Sequence, residues 1–595
     1  MNVESAFFQR SSRVAQKFLQ TAVVIDDRAF RPGSAVPELP VVQLTPPPTP
    51  MTVEPIAASS ATIAESTTAV EEQAAEPPKD PDPHGIDAEV VIESFAQHGI
   101  VCSVLRREAN GNLTSSIDRV HQLLLIADIL ILDWQVHHPD GSDSFEGTLR
   151  FLESAVRKSI QDTPQQLRLI VIYTGANDLL RVAEKIGECL KSAAGKEPSK
   201  DGDFAFRTNA MRIVVLGKPS NYRATDQRNQ QVDDDSDLCA RVIQEFAVMT
   251  AGLVSNVVLE SLAQVRRATH GILARFGQEL DAPFLAHRAL LNPPTEGNDH
   301  LIPLIVSEIE AILEDQVSRD LLSDNSISEW LASRPAPTLP VDSAPEINTI
   351  EKEQQAVRDI CLKGVHQHAS FSLPSQPSWL KKLADNRGVT ELGKLTNVIA
   401  GKTTNAANEA LEVLMSLRSH YSTSPPMLAL GTLLSSEVRD EKQTAASENI
   451  TANAPSMNDS DVQTMAYWLC LQPICDCYIR DECSLWRPFP LLRLDLKAER
   501  FNLVAEGPSG ILRLRWDAKP YKVKMFEFEA KSATQTVLAT REGDAFWFQS
   551  PDSDTRFRWL GQLKFPQAQR VAQSLSSETG RVGLTESEWL RRSAK

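Results

Sequence analysis

The stretch TAVVIDDRAF, residues 21–30, runs five apolar or β-branched residues straight into two adjacent carboxylates. An unbroken run of this kind reads as a strand buried on both faces of a parallel sheet. Asp26 and Asp27 then stand at its carboxyl end. Two like charges side by side cost stability unless something positive lies between or beside them. The pair is either a turn running out into solvent or one part of a cation site whose other parts lie further along the chain.

Downstream, strand and helix signals alternate. DAEVVIESFAQHG (87–99) has its apolar residues on one helical face, and IVCSVLRRE (100–108) reads as a strand. SIDRVHQLLLI (116–126) returns to helix, and ADILILDWQV (127–136) is another nearly continuous apolar strand. FEGTLRFLESAVRKSI (145–160), LRLIVIYTG (167–175), NDLLRVAEKIGECLKS (177–192) and MRIVVLGKPS (211–220) continue as helix, strand, helix and strand. Five strands with intervening helices predict a doubly wound parallel sheet with right-handed crossovers.

Such a sheet presents its chemistry beyond the carboxyl ends of its strands. Those ends carry Asp26 and Asp27, then Asp133, then Thr174, then Lys218 followed by Pro219. Three carboxylates suit a hard cation such as Mg²⁺, with water and backbone oxygen completing its shell. Asp133 has the character of a nucleophile for a phosphoryl group. The Lys218 ammonium would neutralise charge on the transferring oxygens, and the Thr174 hydroxyl would hydrogen-bond one of them. Pro219 makes the Lys218–Pro219 bond a place where a cis peptide is cheap.

The motifs VVIDD, ILILDW, IVIYTG and VVLGKP, in this order, resemble the response-regulator receiver domain, a CheY-like flavodoxin-type fold. The resemblance covers residues 21–220 apart from an insertion. It implies that Asp133 is the phosphoacceptor and that Asp26, Asp27, Asp133 and the Gln135 backbone carbonyl hold Mg²⁺. It implies equally that Thr174 and Lys218 read the phosphoryl group and that a histidine kinase supplies it. Three features depart from the pattern: a long insertion separates Asp27 from Asp133, the segments around strands four and five are longer than usual, and Leu216 occupies a position often aromatic in receivers. Added length in a connection costs little.

The fold class expected is therefore multidomain. A five-stranded parallel receiver domain takes residues 1–30 and 85–235, interrupted by a Pro- and Ala-rich segment at 31–84 that reads as disordered. Helical patterns fill 236–335 and 336–438, divided by the turn-rich SRPAPTLPVDSAPE, and 439–460 reads as a linker. Short alternating segments in 461–595, from QTMAYWLCLQ to FRWLGQL, suggest a small antiparallel barrel or sandwich. Two helices close that domain, the second capped by Thr585 and Glu588 ahead of Trp589 and Leu590.

The net charge of -17 argues against a dominant nucleic-acid footprint. No apolar run reaches the roughly eighteen residues of a membrane span, and the N-terminus lacks a signal-peptide core. Phe7, Val14 and Phe18 there mark a short amphipathic helix. Eight cysteines in 595 residues, with Cys102, Cys189, Cys239 and Cys361 scattered, suit free thiols in a reducing cytoplasm. Cys470, Cys475, Cys477 and Cys483 gather within WLCLQPICDCYIRDEC. Four thiols can bind Zn²⁺, but C-x4-C-x-C-x5-C is not the paired spacing of zinc knuckles, so idle thiols are the default and zinc the alternative. His137 and His138 beside Asp133, and His270 in a helical stretch, read as solvated rather than metal-binding or phosphate-accepting.

Three functions fit. The first is a signalling protein phosphorylated on Asp133, acting through an effector protein or as a phosphate sink; proteins of this build resemble components of Detocs-like phage-defence systems. The second is an enzyme whose β-rich domain uses metal or thiol chemistry under receiver control. The third is a degenerate receiver acting as a scaffold, with no enzymatic chemistry.

Overall fold

A computed structural model describes residues 4–26, 29, 85–105, 122–123, 126–137, 143–161, 166–208, 210–220, 223–291, 294–334, 357–364, 396–397, 399–400, 405–422, 424–437, 465–477, 486–497, 500–508, 510–531, 535–551 and 555–579. The segment at 31–84, most of the helix expected at 116–126, the 439–460 linker and the last helix lie outside these residues. Two compact units emerge: Leu19–Met249, and Met1–Phe18 together with Thr250–Lys595. The N-terminal helix α1 (Ala6–Phe18) belongs to the second.

The first unit is built on a seven-stranded sheet. Its strands are β1 (Thr21–Ile25), β2 (Val101–Leu105), β3 (Ile129–Asp133), β4 (Arg168–Thr174), β5 (Ser199–Lys200), β6 (Ala205–Thr208) and β7 (Met211–Gly217), in the order β2-β1-β3-β4-β7-β6-β5. The five strands expected from the sequence are parallel and adjacent as a flavodoxin-like order requires. Every residue of β3, β4 and β7 is buried, which is why these strands are unbroken apolar runs rather than alternating ones.

The count of five needs correction. β5 and β6 form an antiparallel hairpin that adds itself to the edge of β7, with Ala205 opposite Val214 and Thr208 opposite Met211. These strands are two and four residues long and interrupted by polar residues, so they carry no periodic signal of their own. An ion network, buried at Arg212 and Glu245 and half-exposed at Asp201, anchors them: Arg212 on β7 pairs with Asp201 of the hairpin, and with Glu245 at 2.8 Å. Glu245 sits on α5 (Leu238–Thr250), where Leu238, Val242, Phe246 and Ala247 are buried.

Helices α2 (Ala88–Gln97), α3 (Glu146–Gln161) and α4 (Leu179–Ala194) make the other crossovers. The Asp87 side chain caps α2 by accepting from the Glu89 and Val90 amides. Asp178 caps α4 through the Arg181 amide, and Gly195, at φ 66°, ends it in the left-handed conformation glycine tolerates. Leu179, Val182, Ala183, Ile186 and Leu190 form one stripe of α4 against the core that Leu130, Ile170, Ile172, Ile213 and Val215 present from the sheet.

The second unit opens with helices. α6 (Leu253–Arg275), α7 (Asp281–Ala289), α8 (Asn298–Gln316) and α9 (Asp324–Ala332) follow one another. α1 joins them through Arg10–Glu329 and Lys17–Glu260 ion pairs. After α10 (Asn405–Ser416) comes a large antiparallel sheet that curls into a half-barrel. Along its path, Leu434, Trp468 and Phe557 face one apolar cluster, and their chain neighbours Leu433, Tyr467 and Leu469 face another. That alternation is the period of two expected of a sheet buried on both sides. The second cluster is covered by α11 (Phe565–Thr579) through Ala568 and Val571.

Three strands of this sheet are absent from the sequence reading. Leu417–Arg418 and Thr432–Glu437 fall within the stretch read as helical, and Trp486–Leu496, an eleven-residue strand, contains Pro488 and Pro490. Proline removes ladder donors and so argues locally against a strand. Among the described residues no helix is long and apolar enough to cross a membrane.

Candidate functional site

Strand register brings the site together. Ile25 pairs with Leu132, so Asp26 and Asp133 come level at the rim. Asp133 pairs with Tyr173, which places Thr174 one step beyond. Thr174 pairs with Gly217, and Lys218 follows. The Lys218 amide continues the ladder by donating to the Thr174 carbonyl at 2.7 Å.

The Lys218 ammonium lies between two carboxylates, donating to Asp26 Oδ2 at 2.7 Å and pairing with Asp133 Oδ1 at 3.0 Å. All three side chains are buried, Lys218 to 1% exposure. Burial alone pulls this ammonium toward its neutral form. The Asp133 and Asp26 carboxylates outweigh it and hold the Lys218 pKa above the usual lysine value. The three groups together carry an excess of one negative charge, which favours a further cation.

The surrounding chain orients Asp133. The Gln135 amide donates to Asp133 Oδ2 at 3.2 Å, and the buried Thr148 hydroxyl of α3 donates to the Asp133 carbonyl at 3.0 Å. The buried Thr174 hydroxyl accepts from the Ala176 amide at 3.1 Å. Trp134, next to Asp133, stacks on Phe145 with ring centroids 5.3 Å apart.

A second polar group lies behind the first. The Lys218 ammonium stands 5.7 Å from the centre of the Tyr173 ring. The Tyr173 hydroxyl donates to Asp235 Oδ1 at 2.8 Å, and the Asp87 amide donates to Asp235 Oδ2 at 3.0 Å. Burial, then Asp235, pushes the Tyr173 phenol well above its ordinary value. Burial also raises Asp235, against the opposing pull of the Asp87 amide and the Tyr173 hydroxyl. Thr148, Tyr173 and Asp235 were not legible as site residues, because none stands at a strand end with a diagnostic neighbour.

Of the residues singled out from the sequence, the structure gathers Asp26, Asp133, Thr174 and Lys218, with Gln135 alongside. Asp27, His138 and the His137 side chain lie outside the described residues. His270 is exposed on α6. Cys470 and Cys477 are buried in the apolar cluster of the half-barrel, with Cys477 Sγ 3.2 Å from the Pro473 carbonyl oxygen. Burial raises the Cys470 thiol, away from the thiolate a zinc ligand needs. The Cys475 side chain and Cys483 lie outside the described residues. Among the described residues, no three His, Cys, Asp or Glu side chains gather to hold a metal.

A flavodoxin-like order with two aspartates, a threonine and a lysine on one rim is the receiver arrangement, and residues 18–223 match the response receiver domain family. This part of the chain is a response receiver domain. It assigns the protein to two-component signalling, where receiver domains work between a phosphodonor kinase and an effector. No curated protein and no solved structure matches the chain. Within the receiver domain, Leu216 is fully buried, and the large aromatic next to the site comes from Tyr173 on β4 instead.

Proposed function

We propose that the receiver domain accepts a phosphoryl group on Asp133 from a partner histidine kinase. The convergence of Asp26 and Asp133 on the buried Lys218 ammonium carries this reading. An Asp133 oxygen attacks the phosphorus, the P–N bond to the kinase imidazole breaks, and its electron pair returns to the ring nitrogen. The Gln135 amide and Thr148 hydroxyl keep the carboxylate and its backbone in place. Lys218 is the cation available to a phosphoryl oxygen once that oxygen arrives, and Thr174 is the hydroxyl. The donor set suits Mg²⁺: the Asp26 and Asp133 oxygens converge, the local charge is negative, and Asp27 and the Gln135 carbonyl would complete the ligands. When bound, Mg²⁺ supplies neutralisation of the transferring oxygens.

Output is through protein–protein contact, either with an effector or by draining phosphoryl groups from the kinase. Nothing in the fold bears on a defence role. The test is incubation of the full chain with Mg²⁺ and radiolabelled acetyl phosphate. Wild type should gain a hydroxylamine-labile label and Asp133→Asn should gain none. Labelling of the variant would remove Asp133 from the role, and an unlabelled wild type would favour the scaffold.

A further inference from the structure

Beyond the strand that ends in Lys218, the chain returns across the rim. Arg223, buried to 2% exposure, sends its guanidinium beneath the two phosphoryl-reading loops. Nη1 donates to the Lys218 carbonyl and to Gln231 Oε1, both at 2.8 Å, and Nη2 donates to the Ala176 carbonyl at 3.1 Å. Ala176 is the residue whose amide holds the Thr174 hydroxyl. One side chain therefore bonds the backbone of Lys218 and the backbone that orients Thr174.

The sequence makes room for this. A Cβ on Gly217 would overlap the Arg223 guanidinium, so the glycine before Lys218 leaves the space in which that guanidinium sits. The rest of the return segment is also tied down. The Val232 amide donates to the Gly217 carbonyl at 2.9 Å, and Gln227 Oε1 accepts from the Leu179 amide at the start of α4 at 2.8 Å. Arg223 Nε is buried without a partner among the described residues, a cost tolerated for the sake of the other nitrogens.

We propose that Arg223 is a positioning residue for phosphoryl binding: it ties the loop after β4 to the loop after β7 and thereby sets the spacing of the Thr174 hydroxyl and the Lys218 ammonium. This rests on the Asp133 reading above. Arg223 touches neither carboxylate in the structure, so its effect falls on the phosphoryl group rather than on the metal. Only a planar fork can reach both carbonyls and Gln231 at once, so lysine is not an equivalent.

The test uses the full chain and two separate probes, Mg²⁺ alone and beryllofluoride in saturating Mg²⁺, read by titration calorimetry. Arg223→Gln should hold Mg²⁺ affinity within about twofold while beryllofluoride affinity falls about tenfold, the worth of one charge-assisted hydrogen bond. Gly217→Ala leaves Arg223 in the chain but displaces its guanidinium. It should show the same split, and the double variant should be no worse than either single one. Gly217→Ala decides the matter if Arg223→Gln fails to fold. Parallel loss of both ligands, or loss of neither, overturns the positioning role. If wild type binds no beryllofluoride, the Asp133 reading falls and the positioning role with it. If wild type binds it and both variants match wild type, only the positioning role falls.

Discussion

Replacing Lys218 by Met removes the ammonium while keeping the length of the side chain. At an effective dielectric of about 20, contacts of 2.7 and 3.0 Å correspond to roughly 6 and 5.5 kcal/mol of attraction. Desolvating three buried charges offsets several kcal/mol of that for each ion. Deleting one partner leaves the penalty without the attraction, so Lys218→Met should cost about 3–5 kcal/mol. For a domain of this size that is a fall in Tm on the order of 10 °C. Two further signatures identify the cause. In the variant, two like charges face each other, so acidification from about pH 7 should narrow the deficit as one carboxylate takes a proton. Mg²⁺ should narrow it too: each chain gains RT ln(1 + [Mg²⁺]/Kd), about 2.7 kcal/mol at a hundred times its Kd, and the variant, with no ammonium competing for the carboxylates, should bind the ion more tightly and gain more than wild type. In wild type the sign is opposite: the raised Lys218 pKa contributes stability that is fully present below about pH 10 and is lost as pH rises through the folded value. Urea unfolding of both chains, with Mg²⁺ and with chelator, measures all of this. A variant as stable as wild type in chelator, or one whose deficit neither Mg²⁺ nor acid reduces, would refute the reasoning.

Tyr173→Phe should destabilise by about 1–3 kcal/mol near neutral pH, because Asp235 loses a donor. Burial raises the Asp235 pKa, so the carboxylate's cost appears as pH rises through the folded value; the deficit of the variant should shrink as acid protonates the carboxylate, and a deficit independent of pH would count against the bond. For the cysteine cluster, metal analysis of the purified full chain should find no stoichiometric zinc, since Cys470 and Cys477 pack as apolar thiols; one zinc per chain, lost in Cys477→Ser, would establish the alternative.

Local pattern accounts for much of this molecule. The buried runs 21–25, 129–133, 168–174 and 211–217 announced parallel strands because burial on both faces needs no more than a run of apolar residues. Their ends named Asp26, Asp133, Thr174 and Lys218 in advance, since a parallel sheet exposes its chemistry only there. What a local pattern cannot hold is pairing between distant positions. Lys218 and Asp26 stand 192 positions apart, and only strand register decides that their side chains meet. The edge hairpin depends on Arg212 meeting Asp201 and Glu245, and the strand at Trp486–Leu496 tolerates Pro488 and Pro490 where it is paired along one side, with Val523–Glu529, while Met465–Cys470 joins its other side only from Leu491 on. The Arg223 bonds likewise exist only after the chain has crossed back over its own strands. The sequence by itself determined the buried parallel strands and the chemical character of the rim. Tertiary structure decided which charge neutralises which, because that energy depends on distance and burial rather than on order along the chain.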